Sequence, residues 1–307
     1  MTKILLTGAT GFLGSHIAES LVSKKVEVFA LKRENSNCWR CENFYDKITW
    51  INIDDQSVWK EAVIKSGISI IIHAAWLGVE AFERDNLEVQ AKNIDLIAKL
   101  LDIGKTLKIK KFISLGSQAE YGHINNEIDE SAILKPSTAY GVIKVASLKI
   151  VRLFCIENNI QWFWLRIFSV FGEREGSSWL IPSLIYKIKE QTSMDFTAGR
   201  QKYAYMYVKD FAEIINKVIV MNVVSGVYNV SSNETSYLKD VIQKIAYTVN
   251  PEFKLNFGVI PYRNNQSMHI QGNMSKLFKQ IGVFHFSDFN TSIDKTINYY
   301  MSSTPNL

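Results

Sequence analysis

The chain has 307 residues, of which 47% are hydrophobic and 21% charged, a composition typical of globular proteins and unlike that of a disordered chain. The net charge of +5 includes no basic block of the kind that binds nucleic acid, and no apolar run reaches the length of a transmembrane helix. We therefore expect no nucleic-acid partner and no membrane segment. A strand-like run begins at Lys3, so we expect no signal peptide and a cytoplasmic location.

Short β-rich runs alternate with helical stretches over the first half of the chain. Apolar strands that alternate with helices in this way predict a parallel, doubly wound α/β sheet. The predicted strands are Lys3–Thr7, Glu27–Leu31, Thr49–Ile53, Ile68–His73, Lys111–Leu115 and Gln161–Arg166. The predicted helices between them are Gly11–Ser23, Ser57–Lys65, Leu87–Gly104 and Tyr140–Asn158.

The last third of the chain has a more mixed pattern. It contains strand-like runs at Tyr205–Val208 and Val227–Val230, and helical patterns near Tyr237–Val249 and Ser292–Met301. We predict that the doubly wound sheet occupies residues 1–168 and that a smaller mixed α/β lobe occupies residues 169–307. A helix at residues 211–221 is expected to return to the first domain.

A glycine-rich loop joins the first predicted strand to the first helix. Gly8 permits a tight turn, Gly11 lets the backbone approach a pyrophosphate, and Gly14 lets the helix pack closely against the strand. The helix that continues through Phe12 and Leu13 offers free N–H groups and a positive dipole end to an anion. In this context the glycine spacing predicts a Rossmann-type domain that binds a dinucleotide.

The residues after the second strand indicate which dinucleotide binds. An acidic residue there would bind the ribose hydroxyls of NAD, whereas an arginine favours the 2′-phosphate of NADP. Arg33, with the hydroxyl of Ser36 nearby, favours NADP(H), and NAD(H) stays open as the alternative. Cys38 and Cys41 form a C-x-x-C without a second pair of ligands, so we expect reduced thiols in a loop and no metal site.

Tyr140 and Lys144 are four residues apart in a predicted helix, so their side chains share one face. Tyrosine ordinarily titrates near pH 10 and is a poor acid/base at neutral pH. A neighbouring ammonium favours the phenolate, so we expect Lys144 to lower the pKa of Tyr140.

The segment T-G-A-T-G-F-L-G at residues 7–14 resembles the extended short-chain dehydrogenase/reductase family, whose members are nicotinamide-dependent and mostly act on nucleotide sugars. The resemblance spans nearly the whole chain. Asn52-Ile53-Asp54-Asp55 takes the place of the family's adenine segment, and His73-Ala74-Ala75 resembles its H-x-A-A. The implied cofactor site is Gly8, Gly11, Phe12, Leu13, Gly14, Arg33, Ser36, Asn52, Ile53, Ala74, Ala75, Tyr140, Lys144 and Ile167.

The resemblance also implies the catalytic residues. Tyr140 and Lys144 follow Pro136 as in the family's P-x-x-x-Y-x-x-x-K, and residues 117–122 resemble its S/T-x-x-x-Y-G, which makes Ser117 the catalytic hydroxyl. The Ser117 hydroxyl would bind the carbonyl oxygen on which charge develops. We favour a packing or turn role for Glu120.

The two residues after Ser117 limit which reactions the chain is expected to catalyse. Gln118 and Ala119 stand where the resembling 4,6-dehydratases carry an Asp-Glu pair, and Ala119 stands where the 3,5-epimerase/reductases carry a cysteine. Neither residue transfers protons. Carbonyl reduction, alcohol oxidation and 4-epimerisation are left open.

Four residues are candidates for contacts with the substrate: Trp76, Gln118, Ser169 and Arg263. Ser169 replaces the asparagine of the family's L-R-x-x-N-V-Y-G, and Arg263 lies where the family often has a phosphate-binding arginine, whose guanidinium binds a diphosphate through two hydrogen bonds. Tyr203 and Ala204 replace an Arg-Asp pair in the segment 199–210, so one expected diphosphate contact is missing.

The sequence thus predicts an NAD(P)H-dependent reductase that acts on the 4-keto group of a nucleotide-linked (6-deoxy)sugar. A nucleotide-sugar 4-epimerase or 4-dehydrogenase that retains NAD is the alternative, and a non-catalytic dinucleotide-sensing protein is a third hypothesis. Amphipathic stretches at residues 86–104 and 139–157 resemble the helices through which this family pairs, so we expect a homodimer with a four-helix bundle.

Overall fold

The computed structural model describes residues 2–264 and 266–302. Its strands are β1 (Lys3–Thr7), β2 (Glu27–Lys32), β3 (Ile48–Asn52), β4 (Ile70–His73), β5 (Lys111–Ser117), β6 (Asn125–Ile128), β7 (Gln161–Ile167), β8 (Val170–Phe171), β9 (Ser193–Phe196), β10 (Lys202–Tyr203), β11 (Met206–Tyr207), β12 (Gly226–Val230), β13 (Ser236–Tyr237), β14 (Lys254–Phe257) and β15 (His269–Gly272). Its α-helices are α1 (Phe12–Ser23), α2 (Gln56–Ser66), α3 (Leu87–Leu107), α4 (Ala139–Glu157), α5 (Leu180–Glu190), α6 (Val208–Val220), α7 (Leu238–Val249), α8 (Ser275–Ile281) and α9 (Phe289–Ser302).

Seven parallel strands form the central sheet, in the order β12-β7-β5-β4-β1-β2-β3. Helices cover both of its faces, so side chains that alternate along one strand enter different cores. In β1, Ile4 and Leu6 belong to one hydrophobic cluster and Leu5 belongs to the other. The predicted doubly wound α/β fold is confirmed.

The strand order reverses beside β1, which pairs with β2 on one side and β4 on the other. The carboxyl ends of β1 and β4 therefore lie together, with Thr7 opposite His73. Open α/β sheets bind ligands in the crevice at such a switch point.

Local side-chain chemistry sets the helix ends nearest this crevice. Asn86 caps α3 by accepting from the Val89 N–H at 3.2 Å, and Thr138 caps α4 by accepting from the Gly141 N–H at 3.2 Å. Both caps satisfy N–H groups that have no partner within the helix. The second cap fixes the first turn of α4, which carries Tyr140.

A smaller four-stranded sheet has the order β13-β10-β15-β6. Two elements differ from the sequence-based placement. β12, which was assigned to the smaller lobe, pairs along its whole length with β7 in the central sheet, whereas β6 leaves the first domain to join the smaller sheet. Local patterning does not encode these long-range pairings.

Two further elements concern the junction with the lobe. The strand predicted at Tyr205–Val208 is shorter, because α6 begins at Val208. The α6 helix packs against α1 of the first domain. Among the described residues, no helix has the length and apolarity to cross a membrane.

Candidate active site

The glycine loop forms a tight cradle after β1. Gly8 has φ of +75°, a conformation that favours glycine, and a β-carbon there would lie 2.6 Å from the Ala75 nitrogen. Gly11 N–H donates to the Gly8 carbonyl at 3.0 Å, and a β-carbon on Gly14 would also overlap Gly8. No side chain caps α1 at Gly11, so its first-turn N–H groups remain available to an anion. These features fit the pyrophosphate of a dinucleotide.

The end of β4 is held beside this cradle by Thr7. The Thr7 hydroxyl hydrogen-bonds His73 Nδ1 at 2.9 Å and accepts from the Ala75 N–H at 3.2 Å, and Ala74 N–H donates to the Thr7 carbonyl. Burial, with a smaller contribution from the Lys144 charge, lowers the pKa of His73 to about 3. A neutral histidine thus orients the short segment that we expect to pass under the cofactor.

The residues after β2 form a compact turn. Ser36 Oγ accepts from the Arg33 N–H at 3.0 Å, and Ser36 N–H donates to the Arg33 carbonyl at 3.1 Å. The Arg33 side chain is exposed. Asn52 Oδ1 accepts from the Asp54 N–H, and the Asp54 carboxylate accepts from the Glu34 N–H. The structure therefore leaves Arg33 accessible and uses Asn52 and Ser36 to shape the turn beside it.

Sequence reasoning did not anticipate that the C-x-x-C segment packs on the glycine loop. Cys41 is fully buried, and its thiol donates to the Ala9 carbonyl at 3.2 Å. Burial raises the pKa of Cys41 to about 12, so this thiol is an unreactive packing group. Arg40 donates to the Arg174 carbonyl at 2.7 Å and approaches the Thr10 carbonyl at 3.4 Å.

The three predicted catalytic residues meet at the carboxyl end of β5. Ser117 is the last residue of β5, and its hydroxyl hydrogen-bonds the phenol of Tyr140. The Lys144 ammonium donates to the Leu115 carbonyl at 2.7 Å and lies 3.4 Å from the centroid of the Trp76 ring. The site therefore joins a hydroxyl to a phenol, and both the phenol ring and the amine contact the candidate substrate residue Trp76.

The electrostatics of this group differ from the sequence-based expectation. Burial raises the pKa of Tyr140, while the hydrogen bond from Ser117 and the charge of Arg84 act in the opposite direction. Burial also lowers the pKa of Lys144 to about 7, against the opposing effect of Glu120. The groups that lower the pKa of Tyr140 are thus the Ser117 hydroxyl and the Arg84 charge, while the Lys144 ammonium donates to the Leu115 carbonyl.

Glu120 holds Ser117 in place. One of its carboxylate oxygens accepts from the Ser117 N–H and from Trp164 Nε1, both at 2.8 Å, and the other accepts from Arg166 Nε at 2.8 Å. Glu120 is fully buried and Arg166 nearly so. Both oxygens are engaged, which agrees with a turn and packing role for Glu120.

The remaining candidates lie at different places. Ile167 ends β7 and pairs with Ser117, so it lies next to the predicted catalytic residues. Gln118 follows Ser117 in a short 3₁₀ helix, and both Gln118 and Ser169 are half-buried. Arg263 is exposed and lies on the lobe near Tyr203. Burial raises the pKa of Tyr203, and the charge of Arg263 has a smaller, opposing effect.

A family model described as the NAD dependent epimerase/dehydratase family matches residues 4–231. The chain belongs to this family. The match includes the glycine loop, Ser117, Tyr140 and Lys144, and it confirms the resemblance to extended short-chain dehydrogenases/reductases.

Individual relatives of the chain are nucleotide-sugar enzymes. It is 27% identical to CDP-abequose synthase from Salmonella muenchen over 90% of each chain, and 23% identical to dTDP-4-dehydro-6-deoxyglucose reductase from Escherichia coli over 83% of this chain and 84% of that one. A solved UDP-N-acetylglucosamine 4-epimerase from Methanobrevibacter ruminantium M1 superposes with a TM-score of 0.87 at 24% identity, covering 98% of each chain. That last likeness concerns the fold.

Proposed function

We propose that this family member is an NAD(P)H-dependent reductase that converts the 4-keto group of a nucleotide-linked (6-deoxy)sugar to an alcohol, in the biosynthesis of surface-polysaccharide sugars. The observation that carries the proposal is the cluster of Ser117, Tyr140 and Lys144, with Gln118 and Ala119 as the next two residues. The cluster suits addition and removal of one proton at an alcohol oxygen, and no acid or base occupies the positions used for dehydration.

Each residue has a distinct role in the proposed reaction. The bound nicotinamide cofactor supplies the hydride. Ser117 hydrogen-bonds the substrate oxygen, and Tyr140 passes its phenolic proton to that oxygen. Lys144, held by the Leu115 carbonyl and the Trp76 ring, would bind the cofactor ribose. Gly8, Gly11 and the start of α1 would hold the pyrophosphate.

We propose NADP(H) as the preferred cofactor, because the exposed Arg33 guanidinium is free to meet a 2′-phosphate. Arg33→Ala should then weaken NADPH binding by about tenfold, the worth of one charge-assisted contact, and leave NADH binding nearly unchanged. Equal loss of affinity for both nucleotides would remove this role from Arg33.

A 4-epimerase or 4-dehydrogenase with retained NAD is the second candidate, favoured by the family name and by the fold of the solved 4-epimerase. The two are separated by denaturing the purified protein, identifying any released nicotinamide, and measuring NADPH consumption with a nucleotide-linked 4-keto-6-deoxysugar. The proposal predicts one NADPH oxidised for each sugar reduced. Retained NAD⁺ and sugar interconversion without net NADPH consumption would contradict it.

We also propose a homodimer. On α4, the apolar residues Val142, Leu153 and Ile156 are exposed, and their spacing places them on one face of the helix. Because α4 packs beside α3, two copies joined along this face would form a four-helix bundle. Leu153→Glu should convert a dimer to a monomer in light scattering, and a wild-type monomer would refute the proposal.

A cytoplasmic location is consistent with three unpaired cysteines in the described chain.

A further inference from the structure

The loop between β4 and α3 is tied to the start of α4. The Tyr140 N–H donates to the Arg84 carbonyl at 2.8 Å, and the Ala139 N–H approaches the Asp85 carboxylate at 3.3 Å. These bonds satisfy N–H groups in the first turn of α4 that have no partner within the helix. The main chain at Arg84 is therefore fixed to the same helical turn that presents the phenol.

The Arg84 side chain lies between two aromatic rings. Its guanidinium carbon is 5.2 Å from the centroid of the Tyr140 ring and 5.7 Å from that of Trp179, and its Nε donates to the Val79 carbonyl at 2.9 Å. Cation–π contacts of this kind hold a weakly hydrated guanidinium in place. A hydrogen bond from Ser178 to Glu80 at 3.1 Å further joins this loop to the segment that carries Trp179.

Four groups act on the Tyr140 phenol from the elements around it. Ser117 hydrogen-bonds it from β5, Glu120 repels negative charge on it, Lys144 lies 5.7 Å from its ring centroid, and Arg84 faces it from the loop. Arginine keeps its charge at every pH at which the enzyme works, whereas burial lowers the pKa of Lys144 to about 7. Arg84 is thus the permanent cation beside the phenol.

We propose that Arg84 is a positioning residue that stabilises the phenolate of Tyr140 and so sets the pH range in which this acid/base works. The inference rests on the proposed function, since it assumes that Tyr140 exchanges the proton. During reduction the phenol O–H bond breaks as the substrate oxygen gains the proton, and negative charge appears on Tyr140, whose ring centroid lies 5.2 Å from the guanidinium carbon. During oxidation the phenolate takes the proton back.

The test compares Arg84→Gln, which removes the charge, with Arg84→Lys, which keeps it. Both variants retain the main-chain carbonyl that binds the Tyr140 N–H. Arg152→Gln is the matched control, because Arg152 is an exposed arginine on the same helix as Tyr140. For each protein, saturated with cofactor, kcat and KM are measured against pH in the reducing and the oxidising directions.

Removing a positive charge near a phenol raises the pKa of that phenol. Arg84→Gln should therefore move the alkaline limb of reduction, and the acid limb of oxidation, upward by about one to three pH units. A shift of one unit lowers the rate of oxidation at pH 7 about tenfold, because tenfold less phenolate is present. Arg84→Lys should restore most of the wild-type profile, and Arg152→Gln should match it.

An ultraviolet titration gives a readout that does not depend on turnover. The phenolate absorbance of the cofactor-bound protein, with that of the matching Tyr140→Phe variant subtracted, reports on Tyr140 alone. Arg84→Gln should raise its midpoint. An unchanged midpoint, or a raised KM with an unshifted kcat profile, would overturn the role of Arg84 while the reductase proposal stands. Wild-type turnover by Tyr140→Phe would instead overturn the proposed function.

Discussion

The buried ion pair between Glu120 and Arg166 offers a quantitative test of how the site is held. Glu120→Gln preserves the shape of the side chain and the oxygen that accepts from Ser117 and Trp164, but it removes the charge opposite Arg166. Breaking a buried ion pair by removing one partner costs about 3–5 kcal/mol, because the remaining charge is buried without compensation.

Denaturant unfolding of the cofactor-bound protein measures this loss. We expect the unfolding midpoint of Glu120→Gln to fall by an amount equivalent to about 3–5 kcal/mol, with an unchanged dependence on denaturant. Adding Arg166→Met should recover part of the loss, since it removes the uncompensated cation. Glu88→Gln, which removes the exposed partner of Lys92 on α3, is the matched control and should leave the midpoint unchanged.

The result that would refute this reasoning is a Glu120→Gln midpoint equal to that of the control. A second readout follows from the hydrogen bond that the Glu120 carboxylate accepts from the Ser117 N–H. Glu120→Ala removes this acceptor altogether, so it should lower kcat more than it changes the affinity for the cofactor. An unchanged kcat would mean that Glu120 does not position Ser117.

Three further outcomes are expected elsewhere in the molecule. Gly8→Ala should abolish dinucleotide binding in a fluorescence titration, because its β-carbon would lie 2.6 Å from the Ala75 nitrogen; retained binding would contradict the cradle. Lys111→Met should destabilise the fold by about 1–3 kcal/mol in denaturant unfolding, since the Lys111 ammonium binds three carbonyls at the end of α6, and a neutral result would argue against this cap. Burial lowers the pKa of Lys144 to about 7, so the unfolded chain binds more protons than the folded one between pH 7 and the usual lysine pKa. Wild-type stability should therefore rise over this range relative to Lys144→Met, and parallel pH profiles of the two would exclude a buried, destabilised ammonium.

The part of the fold that local patterns encode could be predicted from the sequence. The glycine loop after β1, the apolar strands and the helix that carries Tyr140 and Lys144 all depend on residues close together in the chain, and the structure has each of them. The crossing of β6 into the smaller sheet and of β12 into the central sheet depends on pairing with distant strands. The short-range alternation of polar and apolar residues does not indicate that β6 pairs with β15 or that β12 pairs with β7.

The same distinction applies to the site. The spacing of Tyr140 and Lys144 predicted a shared helix face, but spacing does not report how deeply the pair is buried. Burial raises the pKa of the phenol and lowers that of the amine, effects that the spacing alone does not predict. The role proposed for Arg84 was not predicted, because Arg84 lies in a loop without periodicity and the sequence does not show that its side chain packs on Tyr140.

The central claim is that Tyr140 is the proton donor of a net reduction. The most direct test measures NADPH oxidation with a nucleotide-linked 4-keto-6-deoxysugar for wild type, Tyr140→Phe and the exposed control Tyr247→Phe. The account predicts stoichiometric NADPH oxidation by wild type and the control, and a fall of about 10²–10⁴-fold for Tyr140→Phe with unchanged NADPH affinity. Wild-type turnover by Tyr140→Phe would contradict it.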